Sequence, residues 1–314
     1  MKKLLVVMVL GASAGAASAQ GLQRPRRTSG SHLQRQELFA RVVQQQENVG
    51  GYTWLYCVNN GEATIMRLAR GAEPCAVSPA PKGHVTIPST LGGAKVTSLG
   101  YSAFGFCGEM TSVTIPDAVK EIGGDAFLYC RELTSVKIPD GVTSIGGQAF
   151  YGCEKLSSVT IPASVESIGR GAFGWCRQLR RIDLAEGNQR FSVVDGVLYS
   201  NDLSELIMCP NVLTTVKIPP EVRKIGTMSF DGCEGLTSVT IPVGVTNIGW
   251  CAFGRCSELT TVTMLGECPA SPNDVFHECG KLKAITVSSK CKSWTGMKEW
   301  QKLPLVFDGE SLDR

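Results

Sequence analysis

From Met110 onward, apolar and polar positions alternate in a fixed sentence that restarts every 23 residues. Each unit reads L-x-x-Φ-x-Φ-P-x-x-V-x-x-I-G-x-x-A-F-x-x-C, where Φ is aliphatic. The opening position falls at Met110, Leu133, Leu156, Leu179, Leu213, Leu236, Leu259 and Leu282, with one longer step of 34 residues between Leu179 and Leu213. The alternating pair, Val159 and Ile161 in one unit, predicts a short strand with one edge turned inward. Pro116, Pro139, Pro162, Pro219 and Pro242 end that strand, because proline cannot donate to a ladder. A second apolar pair follows, such as Val142 with Ile145. Gly123, Gly146, Gly169, Gly226 and Gly249 then mark a sharp turn, where positive φ is expected. The "AF" pair buries one small and one large side chain, and the run after it predicts a short helical or 3₁₀ turn.

One unit of this size cannot bury its own apolar edge, but stacked units can, each coil covering the next while strands pair in parallel. At ~4.8 Å per coil, eight coils make a rod or shallow arc of roughly 40 Å. The pattern therefore predicts a right-handed repeat solenoid, β-rich, with short strands and short helical turns in each coil.

The units resemble the BspA-like leucine-rich repeat family of bacterial secreted and surface proteins. The resemblance runs over about residues 85 to 290 and rests on "IPxxVxxIGxxAFxxC". It divides the chain into a linker and helix over 20–50, an N-terminal β-rich opening unit over 51–98, a solenoid over 99–284 and a closing unit over 285–314. Within the solenoid, residues 182–212 resemble an expanded unit, whose "FSVVDGVLYS" forms a hairpin turning at Asp195-Gly196. One feature departs from the general leucine-rich pattern: its asparagine or cysteine, three places after the second Φ, is replaced by Gly141 in one unit. The resemblance implies an extracellular or cell-surface binding protein and no particular ligand.

The segment before the repeats differs in composition. Lys2 and Lys3, the apolar run Leu4–Leu10 and the small residues Ala17-Ser18-Ala19 predict a signal peptide over 1–19 and hence export, to a secreted, periplasmic or cell-surface location. The apolar run is too short to span a bilayer. Leu33, Leu38, Phe39, Val42 and Val43 give residues 31–49 a partial apolar helical face. Formal net charge is +3, two of which leave with the leader, so nothing draws the chain to nucleic acid or anionic membrane.

Thirteen cysteines in an exported chain invite disulfides. Seven recur in register, Cys107, Cys130, Cys153, Cys176, Cys233, Cys256 and Cys279, and are expected as a buried thiol ladder filling a small apolar slot. Cys268 with Cys291, 23 residues apart, and Cys57 with Cys75 are the candidate disulfides, free thiols being the alternative. Cys251 and Cys256 in "CAFGRC" do not make a zinc site.

No chemistry stands out. His32, His84 and His277 are the three histidines and none is placed beside a nucleophile; Asp195, Asp202 and Glu205 suit a solvated turn. No phosphate-binding loop, zinc-protease or calcium-loop motif occurs, so no enzyme, cofactor or metal is expected. Recognition is the remaining class. The position before the ladder cysteine carries Phe106, Tyr129 and Trp175, with Tyr151 beside the gap at Gly152, an aromatic stripe suited to a protein partner. Core packing of the same rings is the alternative, and a glycan on the same platform is the rival ligand. The outward strand positions, Thr114, Lys137, Thr160, Asp183, Lys217, Thr240, Thr263 and Thr286, suit exposed strands without a ligand.

Overall fold

The computed structural model describes residues 43–66 and 75–308, and within them the chain winds as a β-solenoid. Each coil contributes a strand to one column, a two-residue strand to a second, and a tight turn to a third. The "SVTIP" strands stack in parallel: Met110–Thr114 lies between Gly83–Thr86 and Ser135–Val136, and Ser158–Ile161 pairs with Arg181–Leu184. Beyond residue 212, Thr215–Lys217, Ser238–Ile241, Thr261–Met264, Ile285–Val287 and Leu303–Phe307 continue as one parallel series. Pairing is in register with a 23-residue offset (Val159 beside Ile182, Val239 beside Val262). Valine and isoleucine therefore meet their counterparts inside, while Thr160 and Thr240 stay exposed. The second column is formed by pairs such as Glu121–Ile122, Ser144–Ile145 and Ser167–Ile168.

The core is a stack of like on like. Phe104, Phe127, Phe150 and Phe173 lie nearly parallel, with ring centroids 5.1–5.2 Å apart. Phe230, Phe253 and Phe276 form a second stack at 4.6 and 5.5 Å. A tryptophan closes the outer end of each, edge-on: Trp54 against Phe104 at 6.1 Å and Trp300 against Phe276 at 6.0 Å. Buried aromatic pairs of this kind contribute about 0.5–1.5 kcal/mol beyond their area.

The break between the stacks is the expanded unit. Phe191–Val194 and Val197–Ser200 form a hairpin, turning at Asp195 and Gly196, both left-handed (φ 50° and 81°). Glu205–Met208 then pairs with Lys224–Ile225. Elsewhere the phenylalanine N–H donates to the alanine carbonyl of the next coil, as Phe150 does to Ala172 at 2.7 Å. At the joint the Ser229 carbonyl accepts instead from Cys209 N–H at 2.7 Å. Cys209 thus stands where a phenylalanine would, and the core divides into two clusters. The turn carries a backbone bond across the joint, with Trp175 N–H donating to Asp231 O at 3.0 Å.

Three expectations need correction. The repeated glycines are not left-handed; they are absent from the positive-φ positions. Their role is close approach: a Cβ at Gly123 would sit 2.8 Å from Leu99 O, and one at Gly146 or Gly169 would strike the backbone of the preceding coil. Successive coils touch backbone to backbone there. Second, the turn after "AF" is not helical. Its hydrogen bonds span three residues (Cys130 N–H to Phe127 O, 3.2 Å), but a left-handed residue interrupts each run. Among the described residues the one 3₁₀ helix is Lys292–Trp294. Third, the helix expected over 31–49 does not occupy its final part, because Gln44–Val49 is a strand paired antiparallel with Tyr52–Asn59. Pairing outweighs the helical pattern once the open end of the sheet is available as a template. The rest of that helix, the signal peptide and His32 lie outside the described residues.

Candidate functional site

Each turn, from the repeated glycine to the ladder cysteine, contains two left-handed positions. One lies two residues after the glycine (Ser102, Asp125, Gln148, Gly171, Met228, Cys251); the other immediately precedes the cysteine (Phe106, Tyr129, Gly152, Trp175, Gly232, Arg255, Glu278). The non-glycine members have φ between 47° and 64°, a conformation that costs an ordinary residue about 1–2 kcal/mol. Glycine would serve at lower cost, and does in three turns. A Tyr, Trp or Arg held there is retained for what its side chain does.

Tyr129 and Trp175 lie across the next coil, over a glycine, and where the left-handed position is itself glycine the residue before it does so. Tyr129 lies over Gly152, Tyr151 over Gly174 (a Cβ there would be 2.9 Å from the ring), Trp175 over Gly232 (2.7 Å) and Asp231 over Gly254 (2.5 Å). Large and absent side chains alternate along the axis, so the outer surface of the turns is covered by side chains from neighbouring coils.

The four stripe residues come together. Phe106 and Tyr129 are 5.4 Å apart, Tyr129 and Tyr151 5.8 Å, Tyr129 and Trp175 5.9 Å, and Tyr151 and Trp175 6.2 Å. They are not equally accessible. Phe106 is 52% exposed, Tyr129 and Trp175 are half-buried and Tyr151 is buried at 4%. Two cations also lie over Trp175, Arg177 at 4.9 Å and Arg255 at 5.4 Å from its ring centre. Arg131 lies 5.6 Å from the Tyr129 ring centre. Two exposed aromatics of the same face were missed by the sequence reading: Tyr101 (63%) and Trp250 (46%). Both directly follow the turn glycine, a position that elsewhere holds Gly124, Gly147, Arg170 and Thr227. Scanning the variable columns one by one would have found them.

Beneath the stripe lies a polar clasp. Tyr151 crosses Gly174 and its hydroxyl donates to Asp231 Oδ2 at 2.7 Å. From the opposite side Arg255 Nη1 donates to Asp231 Oδ1 at 3.1 Å and to Tyr151 Oη at 2.9 Å, while its Nε meets Glu278 at 3.1 Å. Asp231 is fully shielded, and its backbone carbonyl accepts from Asn211 Nδ2 at 2.8 Å. Burial pushes the Asp231 carboxyl above the usual carboxylate range, while Tyr151 and Arg255 pull it back. The Tyr151 hydroxyl is driven well above its ordinary value by burial and by the facing carboxylate. The Asp231 charge in turn holds Arg255 above its ordinary value, against the effect of burial. Together with Arg177–Glu234 at 2.8 Å, the clasp ties the two runs of coils across the joint where the core is divided. Its polar partners are saturated, so it is built to hold geometry rather than to react.

The cysteines stand as free thiols in the structure, the candidate partners Cys268, Cys291, Cys57 and Cys75 among them. Cys268 Sγ points to Pro269 O and Cys291 Sγ to Leu265 O. Cys75 Sγ points to Val77 O and lies beside Cys107, while Cys57 faces other strands. The seven repeating thiols are buried and do more than fill space. Cys130, Cys153, Cys176, Cys256 and Cys279 each donate to the phenylalanine carbonyl of the preceding coil, at 2.9–3.3 Å. The carbonyls of Phe104, Phe127, Phe150 and Phe230 already accept one backbone N–H within their own coil, and the thiol takes the second lone pair. Burial raises Cys176 to about 12, which leaves it protonated and inert.

The remaining polar candidates have structural partners. His84 Nδ1 lies 2.8 Å from Ser112 Oγ on the strand face, and His277 is 3.6 Å from Glu278. Asp202 accepts from Ser200 and Ser204, which lower it to about 2. Glu205 pairs with Lys224 at 2.7 Å, and Asp195 forms the hairpin turn. Among the described residues no group of His, Cys, Asp and Glu side chains is assembled to hold a metal ion, and no helix is long and apolar enough to cross a membrane.

The fold and its periodic core agree with comparisons to known proteins. A leucine-rich repeat protein from Eubacterium ventriosum superposes with a TM-score of 0.55 at 21% identity, over 79% of each chain. A leucine rich cell surface protein from Faecalibacterium prausnitzii gives 0.42 at 24% identity, over 85% of this chain and 95% of that one. The pneumococcal vaccine antigen PcpA gives 0.49 at 21% identity, over 84% and 85%. No curated protein matches the chain in sequence. The profile of the BspA type leucine rich repeat region matches in six copies, over residues 97–214 and 208–296. The chain therefore belongs to the BspA-type leucine-rich repeat family.

Proposed function

We propose that this repeat protein is an exported, non-enzymatic interaction module that holds another protein on the outer surface of its turns. One observation carries the reading. Every coil repeats the same core, yet the two left-handed turn positions and the residue after the turn glycine change from coil to coil and leave Tyr101, Phe106 and Trp250 exposed. Large aromatics on a rigid surface are the residues from which interface hot spots are made, and a surface already ordered by stacking loses little entropy on binding. Family membership fits a role in interactions, and the hydrogen-bonded, ion-paired side chains of the clasp fit a surface without turnover. Export rests on the leader-like residues 1–19, and the partner is then an extracellular or cell-surface protein.

The test is capture by the chain from residue 20 onward, against a panel of purified extracellular-matrix and cell-surface proteins. A Tyr101→Ala/Phe106→Ala variant is run alongside, with its fold checked by circular dichroism. Saturable capture that the variant loses supports the reading. Capture that the variant retains in full moves the interface to the strand face or the expanded hairpin.

A further inference from the structure

The alternation of large and absent side chains leaves a recess on the turn face. The coil from Gly169 to Cys176 carries glycine at two outward positions, Gly171 and Gly174, over which lie Met228 and Tyr151. Met228 and Tyr151 in turn form part of the wall of a cavity of about 260 Å³, lined also by Tyr129, Gln148, Trp250, Arg255 and His277. Small-molecule sites commonly begin near ~300 Å³, so this one has room for a ring rather than a long chain.

Three features of the lining define what fits. Trp250 is nearly half exposed, and among the described residues no ring or cation stacks on it, so one indole face is open. The Gln148 amide makes only a long contact, Nε2 to Met228 Sδ at 3.9 Å, and its remaining hydrogen-bonding capacity is unspent in a half-buried place. The charges are already compensated: Arg255 faces both Asp231 and Glu278, and His277 faces Glu278. An anionic ligand would find no uncompensated cation there, and a purely apolar one would strand the amide and imidazole.

We infer that this recess is a subsite for a neutral glycosyl ring, its apolar face on Trp250 and its hydroxyls shared between Gln148 and His277. The inference rests on the turn face being the contact surface and names the chemistry of one part of it. It places the sugar away from Phe106 and Trp175, because Trp175 is already covered on its ring by two guanidinium groups.

The experiment is isothermal titration of the chain from residue 20 onward with neutral tetrasaccharides built from glucose, galactose, mannose or N-acetylglucosamine, with sialylated and sulfated oligosaccharides alongside. The expected result is saturable binding of at least one neutral tetrasaccharide, weakened tenfold or more in Trp250→Ala and in Gln148→Ala and unchanged in Thr160→Ala on the strand face. Trp250 and Gln148 lie outside the core clusters, so both variants should fold; circular dichroism on the same samples checks this. Binding of none of the neutral sugars, binding of charged ones only, or binding undiminished by Trp250→Ala overturns the inference. Protein capture measured on the same preparations separates the two readings. Capture lost in Tyr101→Ala/Phe106→Ala without any sugar binding removes the subsite and leaves the protein interface standing.

Discussion

Two columns of each turn share one backbone and obey opposite rules. The inner column, Phe150 and Cys153 in one coil, is the same residue pair in nearly every coil, stacked ring on ring and thiol on carbonyl. The outer column, one or two residues away, is Gly105-Phe106 in one coil, Leu128-Tyr129 in the next, then Tyr151-Gly152, Gly174-Trp175, Asp231-Gly232 and Gly254-Arg255. Burial explains the first: a side chain that can pack only against its own copy has one good solution. Reach explains the second. From Tyr129 to Asp231 a large side chain in one coil lies over a glycine in the next, so the outer column is coupled between neighbours without being periodic. Architecture is therefore carried by the repeated residues, and individuality by the alternating ones.

Breaking the inner column should cost most. Phe150→Ala removes a ring stacked on both sides and should destabilise by about 3–5 kcal/mol, read as a fall in the midpoint of denaturant unfolding. Gly146→Ala adds one methyl where two backbones touch and should cost about 1–3 kcal/mol by overpacking; an unchanged midpoint would show that the coils can part there. The clasp comes next. Tyr151→Phe removes one of the hydrogen bonds to a buried carboxylate and should cost about 1–2 kcal/mol. The same site has a pH signature. The folded Asp231 carboxyl lies above its ordinary value near 3.8, so the folded state keeps a proton that the unfolded chain has released. Its contribution is fully present below the unfolded value and is lost as pH rises through the folded one. Asp231→Asn should flatten that decline in stability between the two values, and a decline of equal slope in the variant would place the titration elsewhere.

Smaller effects sharpen the contrast. Cys153→Ala gives up a thiol donor and a little volume, and should cost about 1 kcal/mol. Thiol-reactive labelling of the native chain should reach Cys268 and Cys291, the only partly exposed cysteines among the described residues, well before the other eleven. Fast labelling of Cys130 or Cys176 would mean that the coils open readily. Phe106→Ala, on the exposed end of the outer column, should change stability by no more than about 0.5 kcal/mol.

These columns also explain what the sequence could and could not show. The period, the parallel strands and the cysteine row were legible because each rests on a residue meeting its own copy, so 23-residue spacing alone places Val159 beside Ile182. The turn glycines were legible as residues but not in their role: positive φ and backbone contact both demand glycine, and only the neighbouring coil tells them apart. The strand at Gln44–Val49 was hidden because its pattern of apolar positions suits a helix and only the open sheet edge recruits it as a strand. The aromatic stripe was visible as Phe106, Tyr129, Tyr151 and Trp175, but its exposure was not, since Tyr151 is buried by Gly174, Asp231 and Arg255 from three other coils. Asp231 itself carried no sequence signal. It occupies a position that holds Gly105, Leu128 or Gly254 elsewhere, and its meaning comes from residues 80 and 24 positions away.

The central claim is that the repeated residues hold the fold while the exposed outer column makes the contact. Its most direct test is to measure thermal midpoint and protein capture together for two triple variants, Tyr101→Ala/Phe106→Ala/Trp250→Ala on the turn face and Thr160→Ala/Thr240→Ala/Thr263→Ala on the strand face. The prediction is that both keep a midpoint within a few degrees of the parent chain, and that only the turn-face variant loses capture. Capture that survives on the turn-face variant and disappears with the strand threonines would contradict it.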